Sequence, residues 1–147
     1  MQKVGWSGDG SLIVGRSRAG RVRSFDAQTG ERVAAFEVSD ANHYALDPSS
    51  ARAFVVEREG LRSVDLRTGE TGELIATAES VSALAISPDG AHIALAEGPD
   101  LEVLDAATGE RRFLLPGGSG EHSVWGVTWS PDGQTLATWG RAGIETW

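Results

Sequence analysis

Residues Ser87–Glu110 read SPDGAHIALAEGPDLEVLDAATGE. The opening tetrapeptide returns at Ser130–Gly133, and SGDG from Ser7 and DPSS from Asp47 occupy equivalent places, at steps of 40, 40 and 43 residues. The closing phrase also recurs: DAQTGE from Asp26, DLRTGE from Asp65 and DAATGE from Asp105, at steps of 39 and 40 residues. Two independent markers with one period identify an internal repeat, and repeats of this length form stacked supersecondary units.

Within the third unit, four short runs have strand character: VSALAIS from Val81, HIALAE from His92, LEVLD from Leu101 and RRFLL from Arg111. PDG, GPD and ATGE separate them. Proline presets φ, aspartate caps its own backbone and glycine accepts positive φ, so these are turns. Four strands joined by tight turns make an antiparallel meander. No segment sustains a 3.6-residue period with helix caps, so helix is not expected. The strands do not alternate cleanly between apolar and polar residues, as a sheet buried on one face only would. Meanders buried on both faces and packed face to face make a β-propeller. The expected fold is therefore all-β, with about four blades at 3–38, 43–78, 81–116 and 124–147 in a single propeller segment. The fourth blade is incomplete, because its equivalent of Asp105 would fall one residue beyond Trp147.

Composition fits a globular chain. Of 147 residues, 40% are hydrophobic and 23% charged, and cysteine is absent, which excludes disulfides and thiolate metal sites. The net charge of −8 argues against binding nucleic acid or an anionic membrane, where affinity rests on cationic contacts to phosphate. MQKVGWSGDG has no apolar leader and no run approaches a membrane span, so a cytoplasmic location is expected.

The fourth unit, GEHSVWGVTWSPDGQTLATWGRAGIETW, resembles the WD-repeat family. The resemblance is carried by Gly120 and His122 before the first strand, by V-x-W-S-P-D-G at Val127–Gly133 and by Trp147 at the end of the third strand. It implies a non-catalytic scaffold that binds proteins or peptides, with His122 in a structural role. Phe25, Val64 and Leu104 stand where the family keeps the tryptophan, and GRAG lacks the family's structural aspartate. The D-x-x-T-G-E phrase is also similar to repeats of pyrroloquinoline-quinone dehydrogenases, but no tryptophan follows the Thr-Gly here. A ligand- or cofactor-binding propeller is thus the competing reading.

The repeated aspartates could serve as metal ligands or acid–base groups. Their places beside glycine are those that hairpins require, so Asp26, Gly30, Asp65, Gly69, Asp89, Gly90, Asp105, Gly109, Asp132 and Gly133 are read as structural turns. No calcium loop of the D-x-D-x-D-G type occurs. His43, His92 and His122 have no nucleophile at a recognisable spacing, so no catalytic, metal or cofactor residue is assigned. The glycine-rich LPGGSGEHS lacks the Lys-Ser/Thr of a phosphate loop and reads as a connection. Arg16, Arg18, Arg21 and Arg23 straddle a hairpin and read as a solvated edge or a contact patch for an acidic partner.

The candidate interaction surface comprises the second hairpins and the inter-unit connections: Arg18, Arg58, Asp100 and Arg141, with Tyr44 and Trp125 as exposed aromatic anchors. Trp6, Leu46, Ile86 and Trp129 share one equivalent position and are expected to be buried between blades. An array with open ends invites association. Two partners are expected: a second copy giving eight blades by two-fold symmetry, or the remaining blades of a longer propeller.

Overall fold

The computed structural model describes residues 3–17, 20–37, 43–77, 80–116, 124–141 and 143–147. It contains fifteen strands and no helix among the described residues. β1 (Lys3–Trp6), β2 (Leu12–Arg16), β3 (Arg21–Asp26) and β4 (Arg32–Glu37) form the first sheet in chain order. β5 (His43–Leu46), β6 (Arg52–Glu57), β7 (Gly60–Asp65) and β8 (Thr71–Ala76) form the second. β9 (Val81–Ile86), β10 (His92–Glu97), β11 (Asp100–Asp105) and β12 (Arg111–Leu115) form the third. β13 (Val124–Trp129), β14 (Leu136–Gly140) and β15 (Gly143–Thr146) form a fourth of three strands. Every pairing is antiparallel, as tight hairpins require.

The blades pack face to face through three apolar clusters. Leu12, Val14 and Val22 of blade 1 meet Tyr44, Val55 and Val64 of blade 2. Phe54, Val56 and Leu61 of blade 2 meet Ile93, Leu95 and Leu104 of blade 3. Ala94, Ala96 and Leu101 of blade 3 meet Val124 and Leu136 of blade 4. This explains the unbroken apolar runs: Ala53–Val56 and Ile93–Ala96 are buried at every position, one residue facing each neighbour in turn. No such cluster joins blade 4 to blade 1 among the described residues.

One expectation about the core needs correction. Ile86 is buried and Leu46 packs against the first cluster, but Trp129 is only partly buried and Trp6 is 61% exposed. Trp6 does hold the equivalent position: it pairs with Ile13 on the face of blade 1 that points away from blade 2. No blade covers that face. Trp6 is exposed because burial depends on a neighbour; Trp129 has one in blade 3 but borders a groove between the two blades, which leaves it partly open.

Candidate functional site

The repeated polar residues close turns. In blade 3, the Ser87 hydroxyl donates to Asp89 at 2.6 Å and accepts from the His92 amide at 2.9 Å. Ser7–Asp9 and Ser130–Asp132 repeat this arrangement. Blade 2 inverts it: Asp47 takes the first position and accepts from the Ser49 amide (2.8 Å) and hydroxyl (2.6 Å), and from Ser50 and Arg52. Asp47 is fully buried. Burial alone would raise its pKa, but the two serines and Arg52 outweigh that effect and hold it below the usual value. The Ser87 hydroxyl and Ala91 amide lower Asp89, and the Ser130 hydroxyl and Gln134 amide lower Asp132.

The second turn is equally regular. Asp26 accepts from the amides of Gln28 and Thr29, Asp65 from those of Arg67 and Thr68, and Asp105 from those of Ala107 and Thr108. Gly30, Gly69 and Gly109 then return a backbone bond to the same aspartates with φ of 74°, 79° and 73°. The Thr29 and Gln28 amides lower the pKa of Asp26, and the Arg112 guanidinium, at 2.9 Å, is the main cause that lowers Asp105. Each carboxylate is thus engaged with its own turn. Among the described residues, no group of three histidines and carboxylates is placed to hold a metal ion.

Of the candidate surface residues, Arg58 and Arg141 are exposed at the second hairpins of blades 2 and 4. Asp100 opens β11, paired with Glu97 across the hairpin of blade 3. In a meander these hairpins lie at the same end as the start of each first strand. Accordingly, the Val124 amide at the start of β13 reaches the Gly98 carbonyl at 3.2 Å. Arg18, Gly120, His122 and the 117–123 connection lie outside the described residues. Of the other arginines flanking the second hairpin of blade 1, Arg21 pairs with Glu37 at 2.9 Å, and the Arg16 guanidinium lies 5.7 Å from the Tyr44 ring centre.

Tyr44 is not an exposed anchor. It is 9% exposed and belongs to the core between blades 1 and 2, because its place in β5 equals that of Leu84, a core-facing position. Trp125 is exposed, and its ring meets Trp139 edge to face at 5.9 Å.

Large apolar exposures lie at the two ends of the array; the sequence pointed to Trp125 as exposed, led to the expectation that Trp6 is buried, and did not single out Val4, Trp139 or Ile144. Blade 1 presents Val4 and Trp6 on its free face, around a hollow of about 170 Å³ lined by Val4, Gly15, Arg23 and Phe25 among others. Gly15 creates the hollow, since the same register position holds Val55, Leu95 and Thr138 in the later blades. Blade 4 presents Trp125, Trp139 and Ile144, the last 78% exposed. Trp139 stands where blades 2 and 3 have Val56 and Ala96. The signal available in the sequence was the departure of Gly15 and Trp139 from the repeat. In blade 4 the Trp147 indole donates to the Thr138 hydroxyl at 3.2 Å.

A family model described as "WD domain, G-beta repeat" matches residues 112–138, from β12 into β14. No curated protein matches the chain. Among solved structures, the chain is similar to the beta-propeller domain of Cps50 (Swd1) from Myceliophteria thermophila, at 18% identity and a TM-score of 0.72. The match covers 100% of this chain and 53% of that one, so the chain spans about half the length of that structure. At this identity the likeness concerns the fold. Repeat period, blade packing and the structural match agree: the chain is a β-propeller array of four consecutive blades, of which residues 112–138 match the WD-repeat model.

Proposed function

We propose that this array is a non-catalytic scaffold for protein–protein interaction that completes its ring by self-association. The observation that carries the reading is the complementarity of its two open faces. At the junction of blades 1 and 2, Arg16 reaches over Tyr44. Trp139 holds the place of Arg16, and Val4 holds that of Tyr44. Joining blade 4 of one copy to blade 1 of another by the same junction geometry brings Trp139 over Val4, beside the hollow left by Gly15. Two such contacts related by a two-fold axis close eight blades, with each copy contributing both faces. Burying an aromatic anchor in a pocket is the arrangement that dominates protein interfaces. The hairpin end that carries Arg58, Asp100 and Arg141 remains available to other proteins or peptides, presented from rigid sheets.

The test uses the concentration dependence of the melting temperature, because association stabilises by mass action. The wild-type Tm is expected to rise with protein concentration, whereas the Tm of Trp139→Asp should not. A concentration-independent wild-type Tm would count against the reading. A second reading, in which further blades of a longer propeller cover both faces, is favoured by the coverage of 53% of the matched structure. It predicts that a longer chain binds neither end of this one in competition with a second copy.

A further inference from the structure

Blade 1 differs from the other three in charge. Residues 1–38 carry six cationic and four acidic residues, whereas residues 39–147 carry seven and seventeen. The excess is concentrated at one end of the blade. Lys3, Arg16, Arg21 and Arg23 occupy four register places next to the second hairpin. The same places hold His43, Val56, Gly60 and Arg62 in blade 2, and Ala83, Ala96, Asp100 and Glu102 in blade 3. In blade 4 they hold Gly126, Trp139, Gly143 and Glu145. Only blade 1 fills all four with cations, so the meander does not require them. They also oppose it. Lys3 and Arg16 are direct cross-strand partners, and like charges in that relation destabilise a sheet.

The arginines come together: Arg16, Arg21 and Arg23 all line the hollow beside Gly15. Arg21 pairs with Glu37, but the two side chains are 60% and 71% exposed, so the pair is weak and readily exchanged. Arg23 is exposed and makes no ion pair among the described residues. Arg21 and Arg23 are alternate residues of β3, so they project on one face about 7 Å apart. Alternate side chains of an extended peptide have the same spacing. Access does not depend on a bare face. Arg62, at the place of Arg23, keeps 25% exposure although its partner Val55 packs against blade 1. Glu59 of the adjoining hairpin is 74% exposed. A blade in front thus leaves this end open.

We infer that the hairpin end of blade 1 binds an acidic, extended segment of a partner protein. The inference rests on the reading of the array as a protein-binding scaffold, and it specifies the partner. Carboxylates at alternate positions of the segment pair with Arg21 and Arg23, whose planar guanidinium groups accept them in bidentate fashion, with Arg16 beside them. Arg21 exchanges Glu37 for the carboxylate of the segment. A nucleic-acid strand is disfavoured, because the acidic residues of the other blades repel a long polyanion.

The probe is a fluorescein-labelled peptide of glutamate alternating with serine, added to the purified chain and followed by polarisation. Saturable binding is expected, and it should weaken as salt is raised. Arg21→Glu combined with Arg23→Glu should weaken it about tenfold, the scale of two exposed ion pairs. Should that variant not fold, Arg21→Glu alone decides, with a loss of about threefold. Arg32→Glu makes the same change in net charge as Arg21→Glu, on an exposed residue at the opposite end of the blade. It should alter binding less than about twofold. The inference is overturned if no saturable binding occurs, if a peptide with glutamine in place of glutamate binds equally, or if Arg32→Glu costs as much as Arg21→Glu. A single-stranded oligonucleotide that binds as tightly and competes would also overturn it, since the patch would then read phosphate. The mass in solution is read separately. A monomer that binds the peptide would refute the ring and leave this site standing, and a dimer that ignores the peptide would do the reverse.

Discussion

Asp47 illustrates how the repeat works at the scale of single residues. Three units place serine first and aspartate third in the turn, whereas the second places aspartate first and serine third, and the same hydrogen-bond closure results. The turn needs one acceptor and one hydroxyl in contact, and either order provides them. The carboxylates so engaged have depressed pKa values: Asp9, Asp26, Asp47, Asp89, Asp105 and Asp132. A group whose folded pKa lies below its unfolded value contributes stability that is present above the unfolded pKa. That contribution is lost as pH falls through the folded value. The melting temperature is therefore expected to fall most steeply below about pH 4, where unfolded aspartates begin to take up protons. Asp89→Asn should blunt that fall, and a flat acid profile would show that these bonds do not stabilise the fold. Glycine gives a second residue-scale test. Gly30 and Gly109 have nearly equal positive φ, but a Cβ at Gly30 meets open space while one at Gly109 meets the Ile75 carbonyl. Gly30→Ala should cost about 1–2 kcal/mol from the left-handed conformation alone. Gly109→Ala should cost more in chemical denaturation.

At the scale of the element, each strand's burial is set by the blades beside it. Blade order, strand positions and turn types were legible in the sequence because they rest on local chemistry: glycine φ, aspartate capping and a fixed period. Burial was not, because it is relational. Trp6 and Ile86 occupy the same place in their strands, and only the second has a blade in front of it. Tyr44 looked like a loop aromatic from its place near the start of a strand, but the inward face of β5 begins there. Truncation measures this difference. Phe54 is fully buried between blades 2 and 3, so Phe54→Ala should cost about 3–5 kcal/mol. Trp6→Ala should change the stability of an isolated array by only about 0.5 kcal/mol or less, as at an ordinary surface site. Urea titration at low protein concentration checks both, and equal losses would show that the free face of blade 1 is covered in the isolated chain.

For the whole molecule, three blade junctions are built and two faces are left apolar. One face carries Val4 and Trp6 around a hollow, and the other carries Trp125, Trp139 and Ile144. Repeat arrays that present such faces need caps or partners to remain soluble. In the proposed ring, Trp139 takes toward Val4 the place that Arg16 takes toward Tyr44 in the junction of blades 1 and 2. Light scattering on the purified chain at micromolar concentration tests this most directly. The account predicts a mass of about twice the 15.5 kDa of one chain, reduced to a single chain by Trp139→Asp. A stable, soluble wild-type species at 15.5 kDa would contradict it.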